Sequence, residues 1–217
     1  MMDLAVIFDL DGTVINTDSL IFETFRYVFD KYLPGHELTR EELHSFLGPS
    51  LRTSFSRYFE RGIVEECVRD YRRYNHEIHE KYVTIYPGVE KTLARLKEKG
   101  YPLAIVTTKF RESAYLGLDL FGLRQYFDIV IGSDQVSKPK PDPEGINYVL
   151  DKLERSKGIY VGDNDTDILA AKNAKIVSVG VKWSPKGYVH IEQAGADYLI
   201  DSFDQIESVI IEESSRK

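Results

Sequence analysis

Two carboxylates two residues apart, Asp9 and Asp11, follow directly on the apolar run Leu4-Ala5-Val6-Ile7-Phe8. The run reads as a buried β-strand. A buried strand has no structural use for two acids at its exit, because taking a carboxylate out of water is costly unless a cation or a reaction compensates. Gly12 frees the backbone to turn sharply, and Thr13 adds a hydroxyl. Ligands of open α/β sheets bind at the carboxyl ends of the strands, so Asp9-Leu10-Asp11-Gly12-Thr13 is a candidate metal and nucleophile site. The same residues also suit an Asx-type turn, and the segment alone does not separate the two.

Three later segments place chemistry at strand exits. Thr107-Thr108-Lys109 follows an apolar run, and the Thr107 hydroxyl could bond a phosphate oxygen or simply fit a strand end. In Ser137-Lys138-Pro139-Lys140-Pro141-Asp142-Pro143 the prolines stiffen an extended loop. Lys138 is read there as a point charge for a phosphoryl group, with a solvated loop charge as the alternative. Val161-Gly162-Asp163-Asn164-Asp165-Thr166-Asp167 sets three acids before a small-residue helix. Asp163 stands where it could complete a hard-cation oxygen site with Asp9. Asp165 and Thr166 are expected to cap the helix, and Asp167, one turn in, to support the site from behind.

The elements that must position these groups are legible as an alternation. Helices are predicted over 88–99, 111–121, 142–155 and 165–174, and strands over 102–107, 127–131, 158–161 and 176–181, with a last short strand at Tyr198-Leu199-Ile200. Such alternation of apolar strands with helices means an α/β fold, a Rossmann-like, doubly wound parallel sheet covered on both faces. Residues 17–82 differ in texture. Ile21, Phe25, Val28, Phe29 and Tyr32 repeat on one helical face, with Phe22 also expected in that core. Thr39 and Glu42 form a capping-box pattern, and Gly48-Pro49-Ser50 breaks the chain before further helical stretches. The predicted organisation is a core of 1–16 and 83–217 with a helical cap, 17–82, inserted after the first strand. An insertion there suits a lid over strand ends.

Composition narrows the class. The chain has 217 residues, 42% hydrophobic and 29% charged, so it is globular. Its formal charge of −7 argues against nucleic acid as a partner. One cysteine, Cys67, cannot form an internal disulfide. The sequence shows no apolar run of membrane-spanning length and no signal-peptide pattern. A cytoplasmic protein without membrane contact is expected, as a monomer or a homodimer.

Taken together, the carboxylate pair, the hydroxyl, the lysine and the acid cluster, in that order, resemble the haloacid-dehalogenase superfamily of phosphatases. Its four motifs are matched by Asp9-Leu10-Asp11-Gly12-Thr13, Thr107, Lys138, and Gly162-Asp163 with Asp167. The resemblance spans nearly the whole chain, cap included. It is strongest to the branch of phosphoglycolate phosphatases and bacterial inorganic pyrophosphatases. Val106-Thr107-Thr108-Lys109, Gly48-Pro49-Ser50-Leu51 and Tyr74-Asn75-His76-Glu77-Ile78-His79 look like the pyrophosphatase members; phosphoglycolate phosphatases more often have Asn in place of Thr108.

The resemblance implies a mechanism. Asp9 would attack phosphorus and form an aspartyl-phosphate. Mg²⁺ would be held by Asp9, the Asp11 backbone carbonyl and Asp163. Thr107 and Lys138 would bind the phosphoryl oxygens, and Asp11 would serve as acid and then base. Thr108, Lys109 and Arg52 are the expected contacts to a small anionic phosphorylated substrate, pyrophosphate first and phosphoglycolate second. For Lys109 and Arg52 a plain surface charge is the alternative. His76 and His79, three apart, suit either a metal pair or cap packing. Two other readings carry weight: a sugar phosphomutase on the same scaffold, and a phospho-acceptor signalling domain. The second lacks a helical insertion and has its acceptor elsewhere. A dinucleotide site is excluded by the absence of Gly-x-Gly-x-x-Gly after the first strand.

Overall fold

In a computed structural model the described residues are 4–184 and 186–215. The chain forms two compact units, one of residues up to Ile15 together with those from Ile85 onward, the other Asn16–Thr84. In chain order, β1 (Leu4–Phe8) and β2 (Ile15–Asn16) precede four helices: α1 (Asp18–Tyr32), α2 (Arg40–Ser45), α3 (Leu51–Phe55) and α4 (Arg61–Tyr82). Then come β3 (Thr84–Ile85), α5 (Val89–Glu98), β4 (Leu103–Val106), α6 (Arg111–Leu120), β5 (Ile129–Ile131) and α7 (Glu144–Lys152). The chain continues through β6 (Lys157–Gly162), α8 (Asp165–Asn173), β7 (Val177–Val181), α9 (Val189–Gln193), β8 (Tyr198–Ile200) and α10 (Ile206–Ser215). The strands β2 and β3, which sequence periodicity does not announce, pair with each other where the chain leaves and re-enters the larger unit. Two-residue strands are too short to carry a period.

The larger unit holds a six-stranded parallel sheet ordered β5-β4-β1-β6-β7-β8. Every residue of β1 and β4 is buried, as expected for strands covered on both faces. Ala5 and Ile7 pack on one face with Tyr160, Ile146, Val149 and Ala170. On the other, Phe8 stacks on Phe203 at 5.5 Å. The chain runs from β1 outward to β4 and β5, then returns to β6 on the opposite flank of β1. That reversal puts the topological switch at the exit of β1, where ligands of such sheets bind.

The smaller unit has its own core. Phe25, Phe29, Phe46, Phe55 and Tyr71 pack together from α1, α3, α4 and the turn after α2, with Phe25 and Phe46 stacked at 4.1 Å. Phe22 and Tyr32 lie partly buried against it. The Thr39–Glu42 capping box forms as its spacing predicts, opening α2. Glu212–Ser215 continue α10; Arg216 and Lys217 lie outside the described residues. Among the described residues no helix is long and apolar enough to cross a membrane.

Candidate active site

The site follows from the register of three strands. Phe8 stands opposite Ile105 of β4 and Val161 of β6, so the residues that follow these strands emerge side by side. The Asp9 N–H still donates to the Val161 carbonyl at 2.8 Å. Asp9 is thereby held as the last ladder residue, its carboxylate buried. The chain then reverses at Gly12, whose φ is +80°. A Cβ there would lie 2.5 Å from Asp163 Oδ2, so glycine is required both for the turn and for the approach of that carboxylate. Gly162 plays the same part for Asp167: an added Cβ would fall 2.4 Å from Asp167 Cβ. The outcome is a buried cluster in which Asp9, Asp163 and Asp167 each offer an oxygen within 4.8 Å of the others.

The lysine that meets this cluster is Lys140, not Lys138. Lys140 Nζ donates to Asp9 Oδ1 at 2.8 Å, to Asp167 Oδ1 at 2.6 Å and to the Tyr160 hydroxyl at 3.0 Å. An ammonium has three N–H donors, so the tripod is complete. The expected Lys138 has a side chain 72% exposed, and its ammonium stands 3.8 Å from Asp142. The physical reason lies in what pins the loop. Glu144, at the start of α7, accepts the backbone N–H groups of Ser137 and Lys138 and the Ser137 hydroxyl, which fixes the loop's entry and leaves the Lys138 side chain outside. A lysine is buried only where acceptors offset its desolvation, and those acceptors meet Lys140.

Tyr160 locks the arrangement. Its hydroxyl donates to the Val106 carbonyl at 2.7 Å, so its lone pairs are left for Lys140. Tyr160→Phe keeps the ring but strands a buried carbonyl and a buried N–H. A loss of about 1–3 kcal/mol in unfolding free energy is expected, measurable by urea denaturation; an unchanged midpoint would mean that water replaces the phenol.

Electrostatics sharpen the roles. Burial pushes Asp9 up to about 7, opposed by Lys140 and reinforced by Asp167. Asp163 is raised well above the usual range by burial, then by Asp167 and Asp9. Burial works against the Lys140 charge, but Asp167 and Asp9 outweigh it and hold its pKa well above that of a free lysine. Asp167 spends both oxygens on the protein, Oδ1 on Lys140 and Oδ2 on the Asn164 N–H at 2.9 Å. Asp163 accepts from Asn164 Nδ2 at 2.8 Å and from Ser184 Oγ at 3.1 Å. Desolvated hard oxygen donors of this kind, with excess negative charge, fit a hard divalent cation held by Asp9 and Asp163. Asp9 Oδ1 accepts from Lys140, while Asp9 Oδ2 takes no hydrogen bond among the described residues, which leaves its lone pairs for a cation or an electrophile.

The other expected residues are placed as follows. Thr107 is buried, and its Oγ1 accepts the Lys109 N–H at 3.1 Å, leaving its own O–H to donate. Thr107 and Thr108 line a recess with Ser133, Lys138 and Lys140. Lys109 Nζ bonds Asp11 Oδ1 at 2.9 Å. Arg52 belongs to the four-helix unit, where it makes a two-pronged pair with Glu65 at 2.7 and 3.1 Å. His79 is buried while His76 is exposed, so the two imidazoles meet different surroundings. Asn164, not Asp165 or Thr166, caps α8; Asp165 instead accepts the Thr166 N–H. Sequence reasoning passed over Lys140, Tyr160, Asn164 and Ser184. Only Lys140 had a usable signal, its own place between two prolines.

Comparison with known proteins places the chain in a family. Residues 6–181 match the family of haloacid dehalogenase-like hydrolases. The chain is 40% identical over 210 residues to pyrophosphatase PpaX of Listeria monocytogenes, covering 96% of each. It is 41% identical over 207 residues to pyrophosphatase PpaX of Halalkalibacterium halodurans, covering 94% of this chain and 95% of that one. A solved haloacid dehalogenase-like family hydrolase from Streptococcus pneumoniae superposes with a TM-score of 0.82 at 25% identity, over 97% of this chain and 99% of that one.

Proposed function

Since the chain belongs to the haloacid dehalogenase-like hydrolases and is an enzyme of phosphatase type, we propose that it hydrolyses a small anionic phosphate compound, inorganic pyrophosphate first and phosphoglycolate second, through an aspartyl-phosphate on Asp9. The observation that carries this reading is the asymmetry of Asp9: one oxygen is held by Lys140 and the other carries no hydrogen bond among the described residues. Asp9 Oδ2 attacks phosphorus, and the bond to the leaving oxygen breaks. Asp11, two residues on, gives that oxygen a proton and later takes one from the water that cleaves the acyl-phosphate. The Thr107 hydroxyl donates to the transferring group, and the Lys140 ammonium, its three N–H donors held by the protein, stabilises the developing charge through space. Mg²⁺ held by Asp9, Asp163 and the Asp11 carbonyl would offset the repulsion between carboxylate and phosphate dianion. Thr108 lies beside Thr107 to receive a second anionic group. Arg52 would have to exchange Glu65 for substrate to take part.

The pyrophosphatase relatives support the substrate order, as does Lys109 beside Asp11. Phosphate release should be measured on pyrophosphate, phosphoglycolate, sugar phosphates and p-nitrophenyl phosphate, with Mg²⁺ and with EDTA. Pyrophosphate should lead in kcat/KM, and EDTA should stop turnover. Sugar phosphates ahead by tenfold, about 1.4 kcal/mol in transition-state stabilisation, would overturn the substrate order. Full activity in EDTA would remove the metal.

A further inference from the structure

The Asp11 carboxylate is already engaged. Lys109 Nζ donates to Asp11 Oδ1 at 2.9 Å, with the lysine side chain 11% exposed and the aspartate 23%. An acid that protonates a leaving oxygen must come within hydrogen-bond reach of it. A cation bonded to that same carboxyl therefore stands within two hydrogen bonds, about 6 Å, of the leaving oxygen. The Lys109 backbone is fixed on both sides, its N–H on Thr107 Oγ1 and its carbonyl on the Ser133 N–H at 2.9 Å, so the ammonium is delivered to this spot from a held main chain. Lys140 is not available for the task, being committed to Asp9, Asp167 and Tyr160.

We propose that Lys109 is a specificity-determining residue that exchanges Asp11 for the anionic part of the leaving group. A leaving phosphate or carboxylate supplies oxygens that replace Asp11 in a charge-assisted bond, and Asp11 is released toward the leaving oxygen. A neutral leaving group supplies none, and Lys109 stays on the carboxyl that the reaction needs. The exchange breaks and forms only hydrogen bonds. It rests on the phosphatase reading above and names the residue that reads leaving-group charge.

Isothermal titration in Mg²⁺ with methylenediphosphonate and with inorganic phosphate tests it, on the wild type, Lys109→Met and Lys109→Arg, each also carrying Asp11→Asn. The wild type should bind the diphosphonate at least tenfold more tightly than phosphate. Lys109→Met should lose at least tenfold for the diphosphonate and less than twofold for phosphate, which also shows that it is folded. Lys109→Arg should keep most of the affinity. The loss should persist with Asp11→Asn, because the contact to the ligand does not pass through Asp11. Equal losses for both ligands, or a loss that vanishes with Asp11→Asn, would mean that Lys109 only places Asp11, and would overturn the proposal. A wild type with no preference for the diphosphonate would bring down the pyrophosphate reading and this inference together; a preference retained in Lys109→Met would bring down this inference alone.

Discussion

Lys140→Met is expected to lose about 3–5 kcal/mol of folding stability and nearly all turnover, while Lys138→Met stays within about 0.5 kcal/mol of the wild type. The two lysines are two residues apart, carry the same charge and each precede a proline, so the comparison isolates position. Removing Lys140 leaves Asp9 and Asp167 buried without their cation, and an uncompensated buried charge is among the costliest defects a fold can carry. Removing Lys138 ends a 3.8 Å surface pair with Asp142, of a kind that contributes at most about 1 kcal/mol. Urea unfolding gives the stabilities, and phosphate release gives the turnover. Lys138→Met as impaired in turnover as Lys140→Met would return the phosphoryl-binding role to Lys138.

Asp9→Asn should reduce turnover to below about a hundredth of the wild type, more than ~2.7 kcal/mol in the transition state. The fold should survive, because the amide oxygen still accepts from Lys140 and the Asp9 N–H bond to Val161 is unaffected. An amide oxygen is a poor nucleophile, so the loss belongs to the chemical step. Rapid quench with labelled substrate should trap label on the wild-type chain and none on the variant. Activity above that level, or label retained on Asp9→Asn, would move the nucleophile elsewhere.

Much of this molecule is written in local pattern. The apolar runs that become β1, β4, β6 and β7 are too hydrophobic for any place except a sheet covered on both faces, and their order with the intervening helices implies the parallel core. The Thr39–Glu42 box and the repeat through Phe25, Val28 and Phe29 mark the helical insertion, because a helix start and a helix face are set by residues three and four apart. Asp9, Asp11, Thr107 and Asp163 are legible because each stands where an apolar strand stops, and polar chemistry at that point has few structural uses. What local pattern leaves open is partnership. Ser137-Lys138-Pro139 and Pro139-Lys140-Pro141 are nearly equivalent as sequence. Only the tertiary meeting of α7, β1, β6 and α8 supplies Asp9, Asp167 and Tyr160 to one ammonium and none of them to the other. The same holds for Lys109, whose tie to Asp11 spans 98 positions, and for Arg52, claimed by Glu65. A chain declares where it will be buried through its own periodicity, but which charge meets which is decided by desolvation, and desolvation is settled only when distant segments close on one another.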